Sequence, residues 1–196
     1  MAISSTMTVT TNNWLVIFFI GITVVVAISP TSSPHPHKRI TTKLINETCQ
    51  QSQFVETCID GLSSSIKSNT TEMMTLIEIA VEVALNKADK VANHITHLLE
   101  KSHYPDMEQC LSDCSESYED VIAQLNDCDG EIDFESDGPS QTKTEVIEFI
   151  DAALSDVTTC ENGCKSDAEN GDILTSQNDE VRRYCTIVKD IVNLNP

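Results

Sequence analysis

Between residues 70 and 102 the apolar positions Met74, Ile77, Val81, Ala84, Ala88, Val91, Ile95 and Leu98 alternate steps of three and four. That spacing draws one continuous stripe along a helix. Asn69, with Glu72 three residues on, is a start signal of the capping-box kind. Pro105 closes the segment and suits the first turn of a following helix. A helix of this length rises about 45–50 Å, so it needs long partners to cover its stripe. Met107, Leu111, Cys114, Tyr118, Val121 and Leu125 repeat the pattern, as do Val146, Ile150, Ala153, Val157, Cys160 and Cys164. Thr142 with Glu145 marks the start of that third helix. A fourth run, about 177–194, carries Val181, Tyr184, Cys185, Val188 and Val192. Ahead of these, Ile45, Cys49, Val55, Cys58, Ile59, Leu62 and Ile66 suggest a short helix, a bend near Gln51 to Gln53, and a second short helix ending around Ser65. Cys49 and Cys58 would face each other across that hairpin. No sustained strand alternation occurs. The predicted fold is all-α: an up-and-down four-helix bundle over 70–194, preceded by a short helical hairpin over 42–66.

The apolar run Trp14 to Ile28 is too short to span a bilayer comfortably, which takes about 20 residues. It fits the core of a secretory signal peptide over 1–28, with Ala27 as a candidate cleavage position; no Lys or Arg precedes it, which leaves a short membrane anchor as the alternative reading. Residues 29–41 read as an irregular lead. A secretory route makes disulfides the expected state of the eight cysteines. It also makes Asn46 (Asn-Glu-Thr) and Asn69 (Asn-Thr-Thr) candidate glycosylation sites. After cleavage no stable membrane association is expected.

The cysteine spacing carries further information. CLSDC, Cys110 to Cys114, and CENGC, Cys160 to Cys164, each span one helical turn on a core stripe. If the two helices are antiparallel neighbours, each step of four along one is matched by a step of four back along the other. Cys114–Cys160 and Cys110–Cys164 then form two rungs in one register. The midpoint falls at Asp137, beside Gly138-Pro139, where a turn is expected. The first rung to form closes a loop of about 47 residues, worth roughly 4 kcal/mol in the chain-entropy account, and the second contributes about 2–3. Cys128 and Cys185 remain. They lie out of level, so a bond between them would need the 127–140 connection to fold back.

Charge narrows the functional classes. With 31 Asp+Glu against 12 Lys+Arg, the chain cannot neutralise phosphates, which argues against nucleic acid and against an anionic membrane surface. A basic protein partner would be steered toward it. Zinc-thiolate sites favour tight turns, and redox pairs are usually CxxC; neither suits two helical CxxxC turns. His94, His97 and His103 read as a solvated helix face. In the acidic stretch 127–138, aligning Asp127 and Asp129 as calcium ligands puts Ile132 where the loop's sharp-turn glycine must stand. That stretch is therefore expected to be a flexible acidic connection. No nucleophile elbow, phosphate loop or zinc-protease motif occurs, so neither an enzyme nor a cofactor is expected.

Taken in order, the Cys49/Cys58 hairpin, IAVEVALNKADKVANHI, DCSESYEDVIAQL (113–125) and FIDAALSDVTTCENG (149–163) resemble the plant invertase and pectin methylesterase inhibitor family over about residues 42 to 194. The resemblance implies a secreted apoplastic inhibitor that forms a stoichiometric complex with a carbohydrate-active enzyme and blocks its substrate cleft. It implies two shared disulfides, Cys49–Cys58 and Cys114–Cys160. Cys110, Cys164, Cys128 and Cys185 depart from the family's four-cysteine pattern. Some invertase inhibitors insert a Pro-Lys-Phe element into the active site, and this chain has none. Pectin methylesterase is accordingly the first expected target and a cell-wall or vacuolar invertase the second. The exposed acids Glu116, Glu119 and Asp120 are candidate contacts. A different class would be a non-inhibitory stapled bundle that binds a small apolar ligand or serves in structure or signalling.

Overall fold

The computed structural model describes residues 42–133, 139–165 and 173–195. The signal-like segment, the irregular lead and the turn expected at Asp137-Gly138 lie outside the described residues. Six helices and no strands occur among them: α1 (Lys43–Cys49), α2 (Val55–Leu62), α3 (Met73–Leu99), α4 (Pro105–Asp133), α5 (Pro139–Lys165) and α6 (Thr175–Leu194). The protein is an all-α bundle in which α3 to α6 pack in sequence and α6 closes back on α3. The stripes read from sequence form its core. Val81, Ala84, Ile95, Leu111, Leu125, Ile150 and Val188 from those stripes are fully buried, joined by Leu76, Ile79, Ile187 and Ile191, which the stripes do not include.

Helix boundaries differ from the sequence expectation in three places, each for a local reason. No capping box forms between Asn69 and Glu72. Instead the Thr70 hydroxyl accepts the Glu72 N–H at 3.0 Å, and α3 begins at Met73 with no side-chain cap. The acidic stretch after Asp127 is not a flexible connection as far as Asp133; it is the last two turns of α4. Cys128 and Ile132 continue the stripe of Val121 and Leu125 in steps of three and four, and both are buried. Burying them outweighs the local acidity. Finally, α5 starts at Pro139 rather than Thr142. Proline is well suited to a first helical position because its missing N–H would have no intrahelical partner there.

Three disulfides are present: Cys49–Cys58, Cys110–Cys164 and Cys114–Cys160, with Cα separations of 5.6, 4.9 and 4.4 Å. The last two join α4 to α5 in antiparallel register. Cys128 and Cys185 are buried free thiols, each pushed up to about 12 by burial. One polar connection crosses the core. The Tyr118 hydroxyl donates to Asn178 Oδ1 at 2.8 Å, and Asn178 Nδ2 lies 3.7 Å from the Cys160 sulfur. It ties α4 to α6 across the bundle's diagonal.

The α1–α2 hairpin docks on both α3 and α6. Asp190 accepts hydrogen bonds from the Ser52 hydroxyl at 2.9 Å and the Gln53 N–H at 3.3 Å. Arg183 sits over the Phe54 ring, 5.9 Å from its centroid. Gly61 lies so close to Tyr184 that a β-carbon there would meet the ring at 2.7 Å. Gly61→Ala gains helix propensity but must displace a ring packed in the core, for an expected net loss of about 1–2 kcal/mol. Urea denaturation checks the loss, and hydrogen exchange should place it in α2.

Candidate partner-binding surface

The described residues build no catalytic constellation, and no group of three His, Cys, Asp or Glu among them is placed to hold a metal. His94 and His97 ride on α3, and His103 lies in the link to α4. The surface is distinguished instead by how its charges are distributed.

The cations of α6 and its neighbours are mostly committed within the fold. Lys87 of α3 pairs with Glu180, Arg182 pairs with Glu161 and Asp179, and Lys189 pairs with Asp151. Lys143, near the start of α5, donates to the carbonyls of Asn193 and Asn195 at 3.2 and 2.9 Å. That places a positive charge at the C-terminal end of α6, where the helix dipole favours it. Burial is the largest single influence on Lys87 and works against its charge, but the Glu180 hydrogen bond and the charge interactions with Tyr184 and Glu180 together outweigh it, and its pKa ends above the ordinary lysine value.

Helix α4 has no such counter-charges of its own. It carries Asp and Glu along its whole length and no Lys or Arg. Glu116, Glu119 and Asp120 are all exposed on it. Across the seam on α5 stands Asp156, whose carboxyl is raised above its usual range by partial burial and then by repulsion from Asp120. Ionised Asp156 therefore opposes folding, and the opposition fades as pH falls through its raised pKa toward the ordinary carboxylate range. Asp156→Asn is expected to raise the urea midpoint at pH 7, with the gain shrinking toward about pH 4. Sequence reading passed over Asp156 because nothing in one dimension shows which acid it faces. Asn178 did leave a signal: it is a polar residue four after Leu174 and three before Val181, on the stripe that runs on to Cys185.

Open grooves lie among the described residues of this framework. One, of about 430 Å³, is lined by Glu56, Asp60, Glu180, Arg183 and Tyr184 among others. Another, of about 580 Å³, has Met73, Met74 and Ile132 beside Glu72 and Glu78. Both have charged walls, unlike the mostly apolar, enclosed pockets that suit small apolar ligands.

A disulfide-stapled bundle with a docked hairpin and a long, acid-rich helix free of Lys and Arg is a rigid scaffold suited to binding another macromolecule. The chain belongs to the plant invertase/pectin methylesterase inhibitor family, whose model matches residues 43–191. It is 24% identical over 173 residues to a pectinesterase inhibitor of Actinidia deliciosa, covering 88% of this chain and 90% of that one. It is 26% identical over 133 residues to Pectinesterase 1 of Arabidopsis thaliana, covering 66% of this chain but spanning only 22% of that protein's length. The fold matches a crystal structure of a mutant form of a pectin methylesterase inhibitor from Arabidopsis with a TM-score of 0.62 at 16% identity, covering 79% of this chain and 99% of that one. The family is one of inhibitors rather than catalysts.

Proposed function

We propose that this protein is a secreted cell-wall inhibitor that binds a pectin methylesterase stoichiometrically and occludes its substrate cleft. Family membership over residues 43–191 supports the inhibitor role. The cation-free surface of α4 is the observation that favours a basic enzyme partner, since complementary charge accelerates encounter and fixes orientation. The lack of a Pro-Lys-Phe element in the sequence supports pectin methylesterase over invertase, the second reading that the family name itself carries. The apolar run Trp14 to Ile28 supports secretion, and Asn46 and Asn69, both exposed, are the proposed glycan acceptors.

The test is titration of the purified secreted chain against a pectin methylesterase and an acid invertase. Loss of esterase activity at a one-to-one ratio is the expected result. Loss of invertase activity alone would transfer the assignment to the second target, and no effect across a representative panel of both would overturn inhibition. Reversing Glu116, Glu119 and Asp120 to Lys should weaken inhibition at least tenfold and flatten its salt dependence. An unchanged inhibition constant would remove α4 from the interface.

A further inference from the structure

The two rungs between α4 and α5 are in contact with each other as well as joining the helices. Cys114 Sγ lies 3.4 Å from Cys164 Sγ, although each is bonded to a different partner. The rungs also differ in position. Cys110 sits in the second turn of α4, and Cys164 is the penultimate residue of α5, so the outer rung joins the helix ends. Cys114 and Cys160 lie one turn deeper, and Asn178 Nδ2 points at the Cys160 sulfur from 3.7 Å. The Tyr118 hydroxyl holds that amide in orientation through Asn178 Oδ1.

We propose that these four cysteines form a thiol–disulfide exchange site that responds to a dithiol reductant. Helix ends open more readily than helix middles, so the outer rung is reduced first. One thiolate of the reductant attacks Cys110. The Cys164 sulfur leaves with the electron pair and takes up a proton. The second reductant thiol then displaces Cys110, and the reductant departs as a disulfide. Two electrons have passed to the protein, giving thiols at Cys110 and Cys164. Cys164 then loses its proton to solvent, and its thiolate attacks the neighbouring Cys114. A Cys114–Cys164 bond forms, the Cys114–Cys160 bond breaks, and Cys160 leaves with the electron pair and is protonated. This second step conserves the number of thiols and disulfides. The sulfurs must close from 3.4 Å to a bonded separation, about 1.4 Å of travel, as the released helix ends slide past one another. Asn178 donates to the departing sulfur as charge develops on it. The bundle keeps one covalent tie between α4 and α5 throughout, while the free thiol moves from the helix end to the core.

The variant Cys110→Ser isolates the second step, because it leaves Cys164 as a thiol beside an intact inner rung. Non-reduced peptide mapping after alkylation should find Cys114–Cys164 in about a tenth or more of the molecules, with Cys160 alkylated in that fraction. The approach to the mixture should accelerate about tenfold per pH unit below the Cys164 pKa, as its thiolate fraction grows. Adding Asn178→Ala should lower the rearranged share at least twofold. Finding only Cys114–Cys160, with Cys164 fully alkylated, would overturn the proposal. Should that variant not fold, the unaltered chain treated with limiting dithiothreitol and then alkylated gives the same reading. Among the four rung cysteines, label on Cys110 and Cys160 supports exchange, and label on Cys110 and Cys164 alone opposes it; the free thiols Cys128 and Cys185 are labelled in either case.

Discussion

Replacing Cys110, Cys114, Cys160 and Cys164 together with Ala is expected to lower stability by about 6–7 kcal/mol, whereas removing either rung alone costs only about 2–3. The inequality follows from how the rungs share one loop. Whichever rung is present alone holds closed a chain segment whose ends are 46 or 54 residues apart, worth about 4 kcal/mol. The second rung then closes only the small ring between two helical turns, worth about 2–3. Each rung therefore covers for the loss of the other. A loss of 6–7 kcal/mol would consume most or all of the stability of an ordinary domain. Urea denaturation of the Cys110→Ala/Cys164→Ala pair, the Cys114→Ala/Cys160→Ala pair and the quadruple variant measures all three terms. Strictly additive losses would show that the rungs do not share a loop-closure effect.

The second large effect centres on Asn178. Asn178→Ala should cost about 2–4 kcal/mol, because it leaves a cavity and strips the fully buried Tyr118 hydroxyl of its acceptor. Tyr118→Phe is milder, about 1–3 kcal/mol, since it orphans only the amide oxygen. Removing both polar groups in Tyr118→Phe/Asn178→Leu should recover much of the loss, because neither partner is then left unsatisfied. A double-mutant cycle by denaturant unfolding reads the coupling. Additivity between the two sites would mean that the hydroxyl and the amide act independently.

The bundle was legible in the sequence because its stripes are long and regular, and because paired cysteines one turn apart set the direction of neighbouring helices. Where sequence reading went astray, a local signal competed with packing. The acids from Asp127 to Asp133 resemble a loop by composition, yet Cys128 and Ile132 keep the helical phase and draw the segment into α4. The Asn69–Glu72 pair has capping-box spacing, but the Thr70 hydroxyl reached the Glu72 N–H first. Glu116, Glu119 and Asp120 could be placed on an exposed face from periodicity alone. Their repulsive partner could not: Asp120 and Asp156 lie on different helices, and only the α4–α5 packing brings them into each other's field.

The attachment of the hairpin has a consequence for the order of assembly. Cys49 and Cys58 are 9 residues apart and can pair as soon as both have entered an oxidising compartment. Asp190, which anchors Ser52, lies 138 residues further along the chain. At ordinary rates of translation that interval takes roughly 7–30 s. In a secreted chain the N-terminal hairpin is thus locked long before the α6 half of its docking site exists. Until α6 arrives, the side of α1 that packs on it is uncovered on a nascent chain, and a polypeptide stopped short of α6 would present that face permanently.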